Sequence, residues 1–217
     1  MKTAVEPFRF FTASYVTRIS AQKAANLREL GEALEHCSDN SIFHHTYQTL
    51  EMHHFLTGRF SNDFAQWVLA ATNRAELAEQ LGGIDIRDYV SLAELRADLT
   101  RAVKDYCEAH PSDSKLTALE AFHFCESIEV TVPLEREAWT LEAFREGLKS
   151  LGHASIYYHF ISSRLRLHLR TNDFSLWLAD SLELPDLARR ANRIDIYTNT
   201  LDTAKATLLA LVEEQLI

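Results

Sequence analysis

Glycine is scarce in this chain, six in 217 residues, and so is proline, with four. A loop that cradles nucleotide phosphates needs closely spaced glycines to let backbone amides approach, and none is present. Also missing are the Gly-x-Ser-x-Gly elbow of hydrolases and the His-Glu-x-x-His zinc helix. The three cysteines, Cys37, Cys107 and Cys125, lack Cys-x-x-Cys spacing, which disfavours a disulfide scaffold or a thiolate zinc site and leaves buried, reduced thiols. Basic charge is outweighed, 22 Lys and Arg against 31 Asp and Glu, for a net charge of −9. General nucleic-acid binding is therefore not expected, because phosphate neutralisation needs a basic surface. No apolar run reaches the roughly 18 residues of a membrane span, so no membrane insertion is expected. Lys2, Glu6 and Arg9 interrupt the first apolar stretch, unlike a signal peptide, which makes a cytoplasmic location the default.

What is present is an ordered duplication. Ser41-Ile42-Phe43-His44-His45 returns as Ser155-Ile156-Tyr157-Tyr158-His159. Asn62-Asp63-Phe64-Ala65-Gln66-Trp67 returns as Asn172-Asp173-Phe174-Ser175-Leu176-Trp177, and Ile84-Asp85-Ile86 as Ile194-Asp195-Ile196. With 47% hydrophobic and 24% charged residues the chain can bury a core, and its length suits two units of about 100 residues. The reading is two tandem, pseudo-symmetric repeats, residues 7–105 and 121–217, with residues 106–120 as a linker. Pro111 and the Ser/Asp cluster after it favour a turn there.

The fold class read from periodicity is mainly α with a minor α+β part. Each repeat is expected to hold a short strand or hairpin followed by about four helices. Phe122, Phe124, Ile128, Val130 and Val132 alternate as a half-buried strand does, while Phe8, Phe10, Tyr15 and Val16 suggest a strand or hairpin with a break. Leu27, Leu30 and Leu34, like Leu141, Phe144 and Leu148, form a helical stripe. Asn62-Asp63 and Asn172-Asp173 read as helix caps, Phe64 and Trp67 with Phe174 and Trp177 as core anchors, and Asp85 and Asp195 as turn-stabilising carboxylates. Gly82 and Asn192 are expected to close helices in the left-handed conformation. Ser91-Leu92-Ala93-Glu94 reads as a capping box opening a helix to about Val103.

Ten histidines draw attention, several of them near His44. Treating 41–55 as one helix at about 100° per residue places His44, Gln48 and Glu51 on one side with His54 at its margin, and His45 well away from Glu51. Glu51-Met52-His53-His54 contains the Glu-x-x-His spacing of di-iron bundles, but the other inward carboxylates such a site needs are not evident, and the second copy has Leu165 in place of Glu51. His45 and His159 recur between copies, and a hydrogen bond to backbone or to the Asn-Asp turn is the bland role for each. Arg164, Arg166 and Arg170 alternate with leucines and could line an anion site or simply cover apolar surface.

In its opening Phe-x-Phe, its Ser-Ile-aromatic-aromatic-His block, its Asn-Asp-Phe-x-x-Trp and its Leu-Ala before Ile-Asp, the chain resembles an uncharacterised bacterial and archaeal family, a domain of unknown function, over nearly its whole length as two copies. That resemblance implies no activity, substrate or cofactor. The expected function is a non-enzymatic interaction or ligand-binding module, using His45 and His159 with Arg164, Arg166 and Arg170, and taking a protein partner or small ligand; a homodimer fits the same reading. The alternatives are a metal-binding protein or metal-dependent enzyme holding Fe or Zn through His44, Glu51 and His54, and an anion-responsive regulator using the three arginines. The leading reading requires no cofactor.

Overall fold

The computed structural model describes residues 2–48, 60, 62–195 and 200–217. Helices dominate, and the two strands, β1 (Thr3–Ala24) and β2 (Phe122–Thr140), pair antiparallel. The chain divides into two compact units: a middle unit of Tyr15–Ile128, and a terminal unit formed by Met1–Ser14 together with Glu129–Ile217. Each strand therefore gives one stretch to each unit. The expected boundaries at 7–105 and 121–217 follow the sequence copies, whereas the compact units divide the chain within the two strands.

In the middle unit, α1 (Leu27–His36) buries Leu27, Leu30 and Leu34 and packs against α5 (Leu92–Ala109). Asn26 caps α1 by accepting from the Glu29 amide, and Glu29 reaches back to the Ala25 amide at 2.8 Å, so both partners satisfy amides that the first turn leaves open. The helix α2 (Asp39–Phe43) runs directly into a π-wound turn, His44–Gln48. Beyond it lie α3 (Asp63–Thr72) and α4 (Ala75–Gly82), which pack on each other. Ser91 caps α5 as expected, but the helix continues to Ala109, into the stretch read as linker, and stops just before Pro111.

The terminal unit also runs from a strand through helix into a π-wound turn. Here α6 (Leu141–Ser150), capped by Thr140, buries Leu141, Phe144 and Leu148. Next come α7 (His153–Tyr157), a π-wound turn at Tyr158–Ser162, and α8 (Ser163–Leu167). The helices α9 (Asp173–Asp180) and α10 (Pro185–Asn192) pack together, and α11 (Leu201–Gln215) rests on α6.

Three expectations are corrected. The strands are long and unbroken instead of short, because antiparallel pairing satisfies the backbone of segments whose side chains are largely exposed, Val16, Val130 and Val132 among them. Residues 41–48 are not one uniform α-helix, so the angular placement of His44 and His45 above does not hold. Gly82 and Asn192 do not close helices in the left-handed region: no described glycine has positive φ, and the left-handed caps are Asn73 (φ 54°) and His168 (φ 53°). Gly82 is required for another reason, since a Cβ there would collide with the Phe60 ring. Asn192 instead donates to the Arg170 carbonyl at 3.0 Å.

Candidate functional site

Each π-wound turn presents a histidine to a strand. In the terminal unit His159, 2% exposed, accepts the Phe11 backbone N–H at Nε2 (2.8 Å), and its Nδ1 lies 2.7 Å from Asp173 Oδ2. In the middle unit His45, 4% exposed, accepts the Cys125 N–H at Nε2 (2.9 Å), with Nδ1 2.8 Å from Asp63 Oδ2. An imidazole nitrogen that accepts an amide proton must carry a lone pair, so the proton sits on Nδ1 and is donated to the carboxylate. Both rings are thus fixed as the neutral Nδ1–H tautomer.

The surroundings recur with similar distances. Trp177 Nε1 donates to the Glu6 carbonyl and Trp67 Nε1 to the Glu120 carbonyl, each at 2.8 Å. The Phe8 ring packs on His159, Phe174 and Trp177 at 5.0, 5.3 and 5.6 Å; Phe122 packs on His45, Phe64 and Trp67 at 4.8, 5.2 and 5.7 Å. Asn172 and Asn62 cap the helices that carry these groups, accepting from the Ser175 and Ala65 amides at 2.9 Å. Asparagine is the cap in both cases. The aspartate that follows sits in the first turn and serves the histidine, a division of labour that the Asn-Asp pair alone did not disclose.

The electrostatics of the terminal unit are the more elaborate. Arg166 bonds Asp173 at 2.8 Å and lies over the Tyr158 ring, 4.2 Å from its centre. Burial pushes the Asp173 carboxyl upward, but the His159 hydrogen bond and the Arg166 guanidinium outweigh it and hold the group below its ordinary value. For His159 burial dominates and keeps the imidazole below its usual 6.5, despite the pull of Asp173. A groove of about 360 Å³ opens beside this network, lined by Arg9, Phe11, Arg166, Asp173, Trp177 and Asp180 among others.

The other expected site residues are scattered. Arg164 is buried at 9% exposure, Arg166 is held by Asp173, and Arg170 lies exposed past the left-handed end of α8. Glu51 and His54 lie outside the described residues. His44, where the second copy has Tyr158, places Nδ1 2.8 Å from Ser127 Oγ and 3.1 Å from Gln48 Oε1. Burial and then the neighbouring His45 lower its basicity. His44, His45 and Cys125 bring one potential ligand atom each within 4.8 Å of the others. Both His45 nitrogens are already engaged, however, and burial raises the Cys125 thiol, so this trio fits a metal poorly in its present hydrogen-bonding state.

Chemically, the doubled centre differs from an acid–base dyad in one decisive respect. In a Ser-His-Asp arrangement Nε2 takes the proton of the nucleophile's hydroxyl; here it accepts a backbone N–H, which is not a nucleophile to be activated. The arrangement joins helix to strand.

The chain belongs to DUF5752, a family of unknown function, which matches residues 5–213. It is similar in structure to OrfY from Thermoproteus tenax, with a TM-score of 0.84 and 27% identity over 98% of this chain and 96% of that one. No curated protein matches it. Among the described residues no helix is long and apolar enough to cross a membrane.

Proposed function

We propose that this chain is a non-enzymatic interaction or ligand-binding module. The observation that carries the reading is that both ring nitrogens of His45 and of His159 are engaged by protein groups, leaving the recurring histidines no lone pair for substrate. The doubled polar residues hold strands in place, and binding falls to accessible surface such as the groove beside Arg166 and Trp177. A broad hydrolase and transferase screen tests this. No turnover is expected; turnover that disappears in His159→Ala or His45→Ala would overturn the reading.

Metal binding is the second reading, favoured by the approach of His44, His45 and Cys125 to within 4.8 Å. It requires His45 to release Asp63 or the Cys125 amide. Elemental analysis of untagged protein after exposure to Fe, Zn or Mn decides it: a stoichiometric ion lost in His44→Ala supports the metal reading, and its absence removes it.

A further inference from the structure

The segments held by the two histidines share a pattern of their own. Glu6-Pro7-Phe8-Arg9-Phe10 and Glu120-Ala121-Phe122-His123-Phe124 are both Glu-x-Phe-x-Phe, and each meets its helices in the same way. The carbonyl of the first residue accepts from a tryptophan, the two phenylalanines are buried, and the amide immediately after the pattern donates to a histidine. Phe8 and Phe10 are 4% and 1% exposed, Phe122 and Phe124 6% and 0%. Phe10 fits so closely over Gly147 that a Cβ there would run into its ring. Two backbone hydrogen bonds set the register and two aromatic side chains fill the helical surface, which is how a receptor reads an extended strand.

In the terminal unit the strand and its receptor come from separate stretches of chain, Met1–Ser14 and Glu129–Ile217. No contact described for Phe8, Phe10 or the Phe11 amide depends on the strand being joined to those helices by this chain instead of another. We propose that the helices of the terminal unit form a receptor for a Glu-x-Phe-x-Phe strand, and that a second copy of this chain is its partner through exchange of Thr3–Ser14. The proposal rests on the interaction reading above and names its partner. Exchange reproduces the contacts of Phe8, Phe10 and the Phe11 amide, at the cost of a hinge after Ser14 in the otherwise unbroken β1 and of association, and it rises with protein concentration.

The test uses full-length protein in isotopically heavy and light forms, mixed in mild urea, diluted back to native buffer and weighed by native mass spectrometry. Mixed heavy–light dimers are expected. A synthetic peptide of residues 3–14, present in excess during dilution, should reduce them on the order of tenfold by occupying the receptor, while the same peptide with Phe8→Ala and Phe10→Ala should not. Monomers alone would overturn the proposal. So would dimers insensitive to the peptide, or dimers suppressed only by a peptide of residues 120–128, which would place exchange in the middle unit. Turnover in the enzyme screen bears on the interaction reading alone, so the two failures can be told apart.

Discussion

Each recurring imidazole accepts a strand amide on one side and donates to a carboxylate on the other. Replacing His159 by Ala leaves the Phe11 N–H and the Asp173 carboxylate without this partner in a buried setting, and should cost about 1–3 kcal/mol of stability in a urea melt. Trp177→Phe keeps most of the ring and removes only the bond to the Glu6 carbonyl, so about 1 kcal/mol is expected. The pH dependence has a definite sign. With its folded value below 6.5, His159 binds fewer protons folded than unfolded, so stability is undiminished by it above 6.5 and falls as pH drops below that value. His44, also lowered by burial, adds in the same direction. Asp173 contributes stability that is present above 3.8 and lost as pH falls further through its lowered folded value. Melting temperature across this range should decline in these two stages, with the first shallower in His159→Gln; a melting temperature that rises on acidification from neutrality would contradict the assignment. Of this chemistry, the recurrence of His45 and His159 was plain in the sequence, and Asp63 and Asp173 stood in matching places. A bond to backbone or to the Asn-Asp turn is the bland role the sequence offers each histidine, and both are made at once; that the aspartate is the partner does not follow from spacing, which differs between copies, 18 residues against 14.

At the scale of elements, periodicity and caps were readable where they act locally. The stripes Leu27-Leu30-Leu34 and Leu141-Phe144-Leu148, the Ser91 cap and the Asn62 and Asn172 caps all depend on neighbours within a turn. Asn172 is fully buried and also donates to Asn192 at 3.3 Å, so Asn172→Ala should cost at least the usual cap contribution of about 1 kcal/mol, measurable by thermal melting against Asn172→Asp, which retains a cap oxygen. The π-wound turns were not readable, since a π turn uses the same residue types as the α-helix around it and differs in closing bonds five residues apart. Nor was the role of small residues at contacts. Gly147 looks like a weak helix position until Phe10 is seen against it, and Gly147→Ala should destabilise by about 1–3 kcal/mol through overpacking despite alanine's better helix propensity.

On the scale of the whole molecule, the duplicated order of motifs is read as two tandem repeats; the chain divides into two compact units, and each holds one of the two histidines with its carboxylate and strand amide. What the order of copies could not show is which strand each set of helices holds. Phe8 and Phe10 belong by sequence to the first copy, yet they pack on Phe144, Phe174 and Trp177 of the second; Phe122 and Phe124 do the converse with Phe64, and Phe122 also with Trp67. Local propensity carries no information about partners far along the chain, and both strands carry the same Glu-x-Phe-x-Phe pattern. Those strands are held by imidazoles whose Nε2 accepts their amides. Nitrogen-15 NMR of the imidazoles at neutral pH reads this protonation state directly: His45 and His159 should both appear as the neutral Nδ1–H tautomer, with the Phe11 and Cys125 amides coupled through hydrogen bonds to Nε2. An Nε2–H tautomer at either position, or an imidazole exchanging freely with water, would contradict it.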